Sequence, residues 1–250
     1  LHSGETVKVR VLPAPADHGI EFVRSDLPES DPIPALVTYY SDMERRSRLQ
    51  RGAVHVDTVE HLLAACNGLG VDNLRVELSG PEMPGMDGSA RAFVELFKQA
   101  GIVEQRSEAR EFQLSKPVYV RQGDATLVAL PSDTPGLTLQ YIASFDEPGV
   151  SSGSAQFVVT PEVFESEIAP ARTFCLASEV EALQAAGLGK GATRENTLVL
   201  GDPDTVERLP NEAIRHKVLD LLGDLSLLGA ELSAHVIATR SGHSTNALLV

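Results

Sequence analysis

The chain has 250 residues, 42% of them hydrophobic and 22% charged, which excludes wholesale disorder and allows one large domain or two ordinary ones with real cores. Its formal net charge of −14 excludes a nucleic-acid scaffold, which needs a basic surface, but leaves room for a local cationic cluster that holds a small anion. Two cysteines, Cys66 and Cys175, are too few for a disulfide framework and point to a reducing compartment, and no apolar run is long enough to span a bilayer.

The chain opens with strand-like text at TVKVRVL (6–12), GIEFVRSDL (19–27) and ALVTYY (35–40), the first two separated by the turn-prone LPAPADHG. In VHVDTVEHLLAACNGLG the period changes: Val54 and Val56 alternate as in a strand, while Val59, Leu62, Leu63 and Cys66 recur at helical spacing. Asp57 or Thr58 is expected to cap that helix and Gly68 or Gly70 to end it. NLRVELS (73–79) reads as a strand, PEMPGMDG as a loop, and SARAFVELFKQAG as a helix started by Ser89 and stopped by Gly101. The polar VEQRSEAR (103–110) is the best linker and divides the chain into 1–105 and 106–250. Strands then follow through EFQLSKPVYV, ATLVAL, LTLQYIASF and AQFVVT, with helices near 177–187 and 211–229. A last strand, AHVIATR (234–240), leads into a short terminal helix. The economical architecture is α+β: two similar domains, each a β-sheet layered with two helices.

The helix expected at 211–229 carries the most informative pattern. Ile214, Val218, Leu221, Leu222, Leu225 and Leu228 form a broad apolar face, and His216, Asp220 and Asp224 fall at i, i+4 and i+8 on one narrow stripe. A solvated face would account for that stripe. So would a metal, because His and Asp at i, i+4 can aim two ligands at one ion with Asp224 behind them. Gly223 sits on the same stripe, where it would admit another backbone or a ligand. Two further fragments could complete such a site. Glu60 and His61 fall in the first turn of their helix, where a carboxylate is favoured by the helix dipole in any case. His243 follows Gly242 just after a strand, where a turn can project an imidazole into a cleft. GLGKGAT (187–193) invites a phosphate-loop reading but fails it, because Gln184 stands where a glycine is required and Gly191 follows the lysine.

Six stretches, LHSG (1–4), TVEHLLAACNGLGVDN (58–73), PEMPGMDGSARAFV (81–94), ARTF (171–174), HKVLDLLGDLSLLG (216–229) and SGHSTN (241–246), span nearly the whole chain. In that order they resemble the zinc-dependent UDP-3-O-acyl-N-acetylglucosamine deacetylases of lipid A biosynthesis. The resemblance implies an active site between the two domains and one Zn2+ per chain, held by His61, His216 and Asp220. It implies Glu60 as general base, His243 as general acid or electrostatic stabiliser, and Thr173 as stabiliser of the oxyanion. Lys217 would contact substrate and developing negative charge, and Asp224 would orient His243 or support the ligand shell. It further implies an insert at about 175–200 that forms an acyl-chain passage, with Phe174 beside the sugar or uracil, Leu176 in the apolar wall and Arg240 near the diphosphate. The implied partner is an acylated UDP-sugar met at the cytoplasmic membrane surface by a monomeric cytoplasmic protein. Three features depart from the family's pattern: the basic DMERRSRLQRGAV, Glu179 in place of an aspartate, and Leu176 in place of an aromatic. They touch recognition rather than catalysis, so a zinc deacetylase of another N-acetyl sugar, or a non-catalytic nucleotide-sugar-binding relative, stands as the alternative.

Overall fold

The computed structural model describes residues 1–145, 147, 150 and 152–250. Its first part contains β1 (Val9–Pro13), β2 (Ile20–Arg24), β3 (Ile33–Pro34), β4 (Tyr40–Ser41), β5 (Arg48–Arg51), β6 (Val54–Asp57), α1 (Glu60–Leu69), β7 (Leu74–Leu78) and α2 (Arg91–Ala100). After an irregular stretch come β8 (Glu111–Gln113), β9 (Val118–Gln122), β10 (Ala125–Leu130), β11 (Leu137–Ala143) and β12 (Gly153–Val158). A helical stretch, α3 (Pro161–Val163), continues as a π-turn over Phe164–Ile168 and precedes β13 (Phe174–Leu176), α4 (Val180–Ala185) and β14 (Leu198–Leu200). The chain ends with α5 (Glu212–Leu225), β15 (Glu231–Thr239) and α6 (His243–Leu249).

One sheet has the order β1-β7-β2-β3, with β2 parallel to β7 and β1 antiparallel to it. A second runs β12-β11-β15-β10-β9, with β11 and β15 parallel and β8 pairing the start of β15. Small sheets β4-β5-β6 and β13-β14 complete the set among the described residues. Period-two burial explains the inner faces. Leu74, Val76 and Leu78 of β7 are buried, as are Ala234, Val236 and Ala238 of β15, while the residues between them reach the surface in part. Sheets and helices are not wound into repeating βαβ units, so the fold is α+β.

The helices α1 and α5 pack together inside one continuous core that draws Phe22, Leu62, Leu139 and Leu222 from both sheet systems. Both helices are apolar around most of their circumference, and burial on several sides follows from that. Their crossing is closest at Gly223, where a Cβ would lie 2.2 Å from the Glu60 carbonyl oxygen. The glycine on the polar stripe is therefore there to admit another backbone.

Two local expectations need correction. ALVTYY is not a strand: Val37–Tyr39 form a 3-10 turn between β3 and β4. The segment turns from one small sheet pair to the next, and tertiary placement overrides its β-branched and aromatic composition. Neither Asp57 nor Thr58 caps α1, whose N-cap is Val59 without a side-chain bond. Asp57 is instead engaged by Arg46 and Arg48, and Thr58 Oγ1 donates to Glu82. The C-terminal stop is Gly70, in the left-handed conformation at φ 66°.

The Gly223 contact yields a stability prediction. Gly223→Ala forces α1 and α5 apart and should cost about 1–3 kcal/mol as an overpacked core does. A chemical-denaturation midpoint equal to that of the unaltered chain would contradict the crossing described here.

Candidate metal centre and active site

The site begins at the N-terminus of α1 and the middle of α5. His61 on the first helix, and His216 and Asp220 on the second, are all buried and offer ligand atoms within 4.8 Å of one another. The i, i+4 spacing brings His216 Nε2 to 3.2 Å from Asp220 Oδ1, while His216 Nδ1 faces the Ala171 carbonyl at 3.0 Å. With Nδ1–H donating to that carbonyl, Nε2 keeps its lone pair for a metal. Burial, reinforced by His216, lowers His61 to about 3 and so keeps its ring neutral, the form that ligates. Its Nδ1 is buried without a hydrogen-bond partner among the described residues. Two neutral imidazoles and one carboxylate converging in a closed space fit a borderline-soft divalent cation such as zinc. The solvated-face reading of the stripe is thereby excluded, for His216, Asp220 and Asp224 are 2%, 5% and 0% exposed.

Behind this triad lies a second layer of charge. Asp224 receives three donors: Ser47 Oγ, Asn246 Nδ2 at 2.8 Å, and His243 Nδ1 at 2.8 Å. The last bond turns His243 Nε2 toward Glu60, 3.9 Å from its Oε1. The other oxygen of Glu60 accepts the Ser47 backbone N–H at 3.1 Å. Burial pushes the Glu60 carboxyl up to about 8, with Asp220 and Asp224 adding to the rise and His243 opposing it. Burial works the other way on His243, but the charge and hydrogen bond of Asp224 overcome it and lift the imidazole to about 9. The pair can thus hold one proton on a ring facing the site and release another from a carboxyl that readily takes it back.

A cavity of about 320 Å³ opens onto these groups, with Thr173, Phe174, His216, Lys217, Asp220 and His243 in its wall and Asp42–Arg45 across from them. Thr173 is fixed through its backbone: its N–H donates to Gly88 at 2.8 Å, and its carbonyl accepts from Leu198 at 2.9 Å. Gly88 itself sits at φ +80°, and a Cβ there would collide with the Asn196 carbonyl, so the PEMPGMDG loop can only be this close to the insert with glycine. Lys217 Nζ donates to Asp220 Oδ2 at 3.0 Å and lies 5.9 Å above the Tyr141 ring, and Asp220 holds it charged against burial. Asp220 is held well below the ordinary carboxylate range by His216 and Lys217, although burial alone would raise it. Phe174 meets the His216 ring edge-on at 6.3 Å.

All eight residues expected from the sequence in metal binding or catalysis, namely Glu60, His61, Thr173, His216, Lys217, Asp220, Asp224 and His243, meet in this region. Among the expected recognition residues, Phe174 lines the cavity. Leu176 and Arg240 do not: Leu176 packs under Leu198 and Leu200, and Arg240 is exposed beyond the end of β15 at φ 51°. Ser47, Asn246 and Arg45 escape a reading of the sequence. Arg45 forms an ion pair with Glu179 of the insert. Asn246 lies three residues beyond His243, one turn along α6, a spacing that could have marked it. Ser47 has no such signal.

Asp224 contributes most to the raised His243, through its charge and its hydrogen bond, so Asp224→Asn should lower the imidazole from about 9, with Glu60 and Asp220 still opposing burial. An NMR titration of the His243 ring measures this directly, and an unmoved midpoint would refute the assignment.

Comparison with known proteins agrees along the whole chain. A family model described as UDP-3-O-acyl N-acetylglycosamine deacetylase matches residues 1–250. The UDP-3-O-acyl-N-acetylglucosamine deacetylase of Anaeromyxobacter sp. (strain Fw109-5) is 42% identical over 254 residues, covering 100% of this chain and 82% of the relative. The protein of the same name from Nostoc sp. (strain PCC 7120 / SAG 25.82 / UTEX 2576) is 42% identical over 252 residues, 98% of this chain and 89% of its own. That of Myxococcus xanthus (strain DK1622) is 41% identical over 255 residues, 100% of this chain and 80% of its own. With a family model matching residues 1–250 and a relative 42% identical across the whole chain, the chain belongs to the UDP-3-O-acyl N-acetylglycosamine deacetylase family.

Proposed function

We propose that this chain hydrolyses the N-acetyl group of UDP-3-O-acyl-N-acetylglucosamine, releasing acetate and UDP-3-O-acyl-glucosamine for lipid A biosynthesis. The observation that carries this reading is the buried His61–His216–Asp220 triad set beside Glu60 and His243 on one cavity. His61, His216 and Asp220 would hold Zn2+, which when bound supplies a Lewis acid for the acetamide carbonyl and lowers the pKa of a water to about 7.

The chain's own groups divide the remaining work. Glu60 takes the proton of the attacking water, a task suited to a carboxyl whose burial makes it more basic than usual. Thr173 and the charged Lys217, both on the cavity wall, stabilise the oxygen on which negative charge develops. His243, kept protonated by Asp224, gives its Nε2 proton to the departing amine nitrogen, which leaves poorly as an anion. Lys217 also offers a cation to the substrate, and Phe174 an aromatic face for the sugar or uracil. Leu176 and the rest of 175–200 line an acyl passage outside the cavity described above, and Arg240 serves the diphosphate.

The same reading assigns 1–105 and 106–250 to two sheet-and-helix domains, with the catalytic groups drawn from both. Among the described residues no helix is long and apolar enough to cross a membrane. In this reading the protein is a cytoplasmic monomer that meets its acylated substrate at the membrane surface.

Acetate release from UDP-3-O-acyl-N-acetylglucosamine, followed by mass spectrometry on zinc-loaded protein, tests the proposal. Chelation should abolish turnover and added zinc restore it. Glu60→Ala should lower kcat by about a hundredfold or more, the scale of a lost general base. Metal-loaded protein that leaves the UDP-sugar intact but deacetylates another N-acetyl sugar would sink the assigned substrate.

The pH profile is a separate check. Activity needs Glu60 ionised and His243 protonated, so kcat/KM should rise as Glu60 loses its proton and fall as His243 loses its own. In the metal-free chain burial raises the first group and Asp224 the second; a cation held by His61, His216 and Asp220 would draw both limbs back down. In His243→Gln the descending limb should vanish.

A further inference from the structure

Ser47 occupies a place that no role above requires. It is 0% exposed, and its two polar donors go to two different carboxylates of the site: the backbone N–H to Glu60 Oε2 at 3.1 Å, the hydroxyl to Asp224 Oδ1. Its carbonyl accepts the Thr58 N–H at 2.9 Å, just before α1 begins. The residues on either side are clamped as well. Arg46 Nε reaches Asp57 Oδ2 at 3.0 Å, and Arg48 grips the same carboxylate through Nε at 2.6 Å and Nη2 at 2.9 Å. Charge-assisted contacts on both flanks fix the serine as firmly as a short segment outside a helix can be fixed.

We propose that Ser47 is a positioning residue that sets the distance between the base Glu60 and the Asp224–His243 pair. Glu60 stands on α1, Asp224 on α5 and His243 on α6, so three separate helices must present groups within a fraction of an ångström of their working places. Main-chain packing alone does not orient a carboxylate about its own bonds. Asp224 has two oxygens: Oδ2 is shared by His243 and Asn246, and Oδ1 is held by the Ser47 hydroxyl. Losing that hydroxyl frees Asp224 to rotate, and the imidazole turns with it. The inference rests on the acid–base reading of Glu60 and His243 given above.

The test compares Ser47→Ala and Ser47→Thr in zinc-loaded protein, with and without His243→Ala. Ser47→Ala should lower kcat about tenfold with KM and bound zinc unchanged, because misplacement by less than an ångström costs that order in rate. Ser47→Thr, which keeps the hydroxyl, should recover most of the rate. In the His243→Ala background, Ser47→Ala should cost nothing further, since its route of action is gone. An equal loss in both backgrounds would overturn the proposal and make Ser47 a packing residue. A readout without substrate runs in parallel: the Nδ1 proton resonance of His243 should broaden or move in Ser47→Ala and persist in Ser47→Thr. An unaltered resonance in Ser47→Ala also overturns it. If the unaltered chain releases no acetate from the UDP-sugar, the substrate reading fails while the resonance still decides the role of Ser47.

Discussion

The whole site hangs on one helix crossing. Because Gly223 has no side chain, α5 meets α1 at the carbonyl of Glu60, and that contact places four charged or ligating groups from two helices within reach of one another. A larger residue would press on the Glu60 carbonyl and push apart the helices that carry His61 on one side and His216 and Asp220 on the other. The crossing is also buried. Each carboxylate drawn into it must be compensated, and the structure shows how: Lys217 for Asp220, three donors for Asp224, a backbone amide for Glu60. Such compensation is costly to assemble for stability alone, since apolar residues would fill the same space more cheaply.

Why a chain this acidic can work on a diphosphate sugar follows from the same local arrangement. The net charge of −14 describes the chain as a whole, whereas the cavity wall sets Arg45, Lys217 and, when protonated, His243 among Asp42, Glu44 and Asp220. Burial sharpens these few charges because little solvent screens them. A global charge count therefore rules out broad polyanion binding but says nothing about one well-placed lysine.

The chemistry of the site was more legible in the sequence than its supports. His216, Asp220, Asp224 and Gly223 stand out because a helix has a fixed period, yet the stripe alone is equally compatible with a solvated face, and the family resemblance is what turns it into a ligand set. His61 and Glu60 gain meaning only beside that stripe. The α+β mixture was readable from alternating and helical periods, yet ALVTYY was misread as a strand because packing, not residue preference, decides a short segment between sheet fragments. Asp57 was misread as a cap for the same kind of reason: two arginines eleven and nine residues upstream claim it first. Ser47 and Asp224 are 177 residues apart, and no period or motif links positions at such a separation. Only the folded chain reveals that contact.

One tie across the cavity differs in kind from everything beneath it. Arg45, on the loop opposite Thr173, is joined to Glu179 at the start of the insert, and the two side chains are 33% and 31% exposed. A pair so open to water holds at most about 1 kcal/mol. It is a latch rather than a weld: the catalytic groups at the floor of the cavity are held by buried polar bonds that salt hardly reaches, while the tie at its rim is one that ordinary salt loosens.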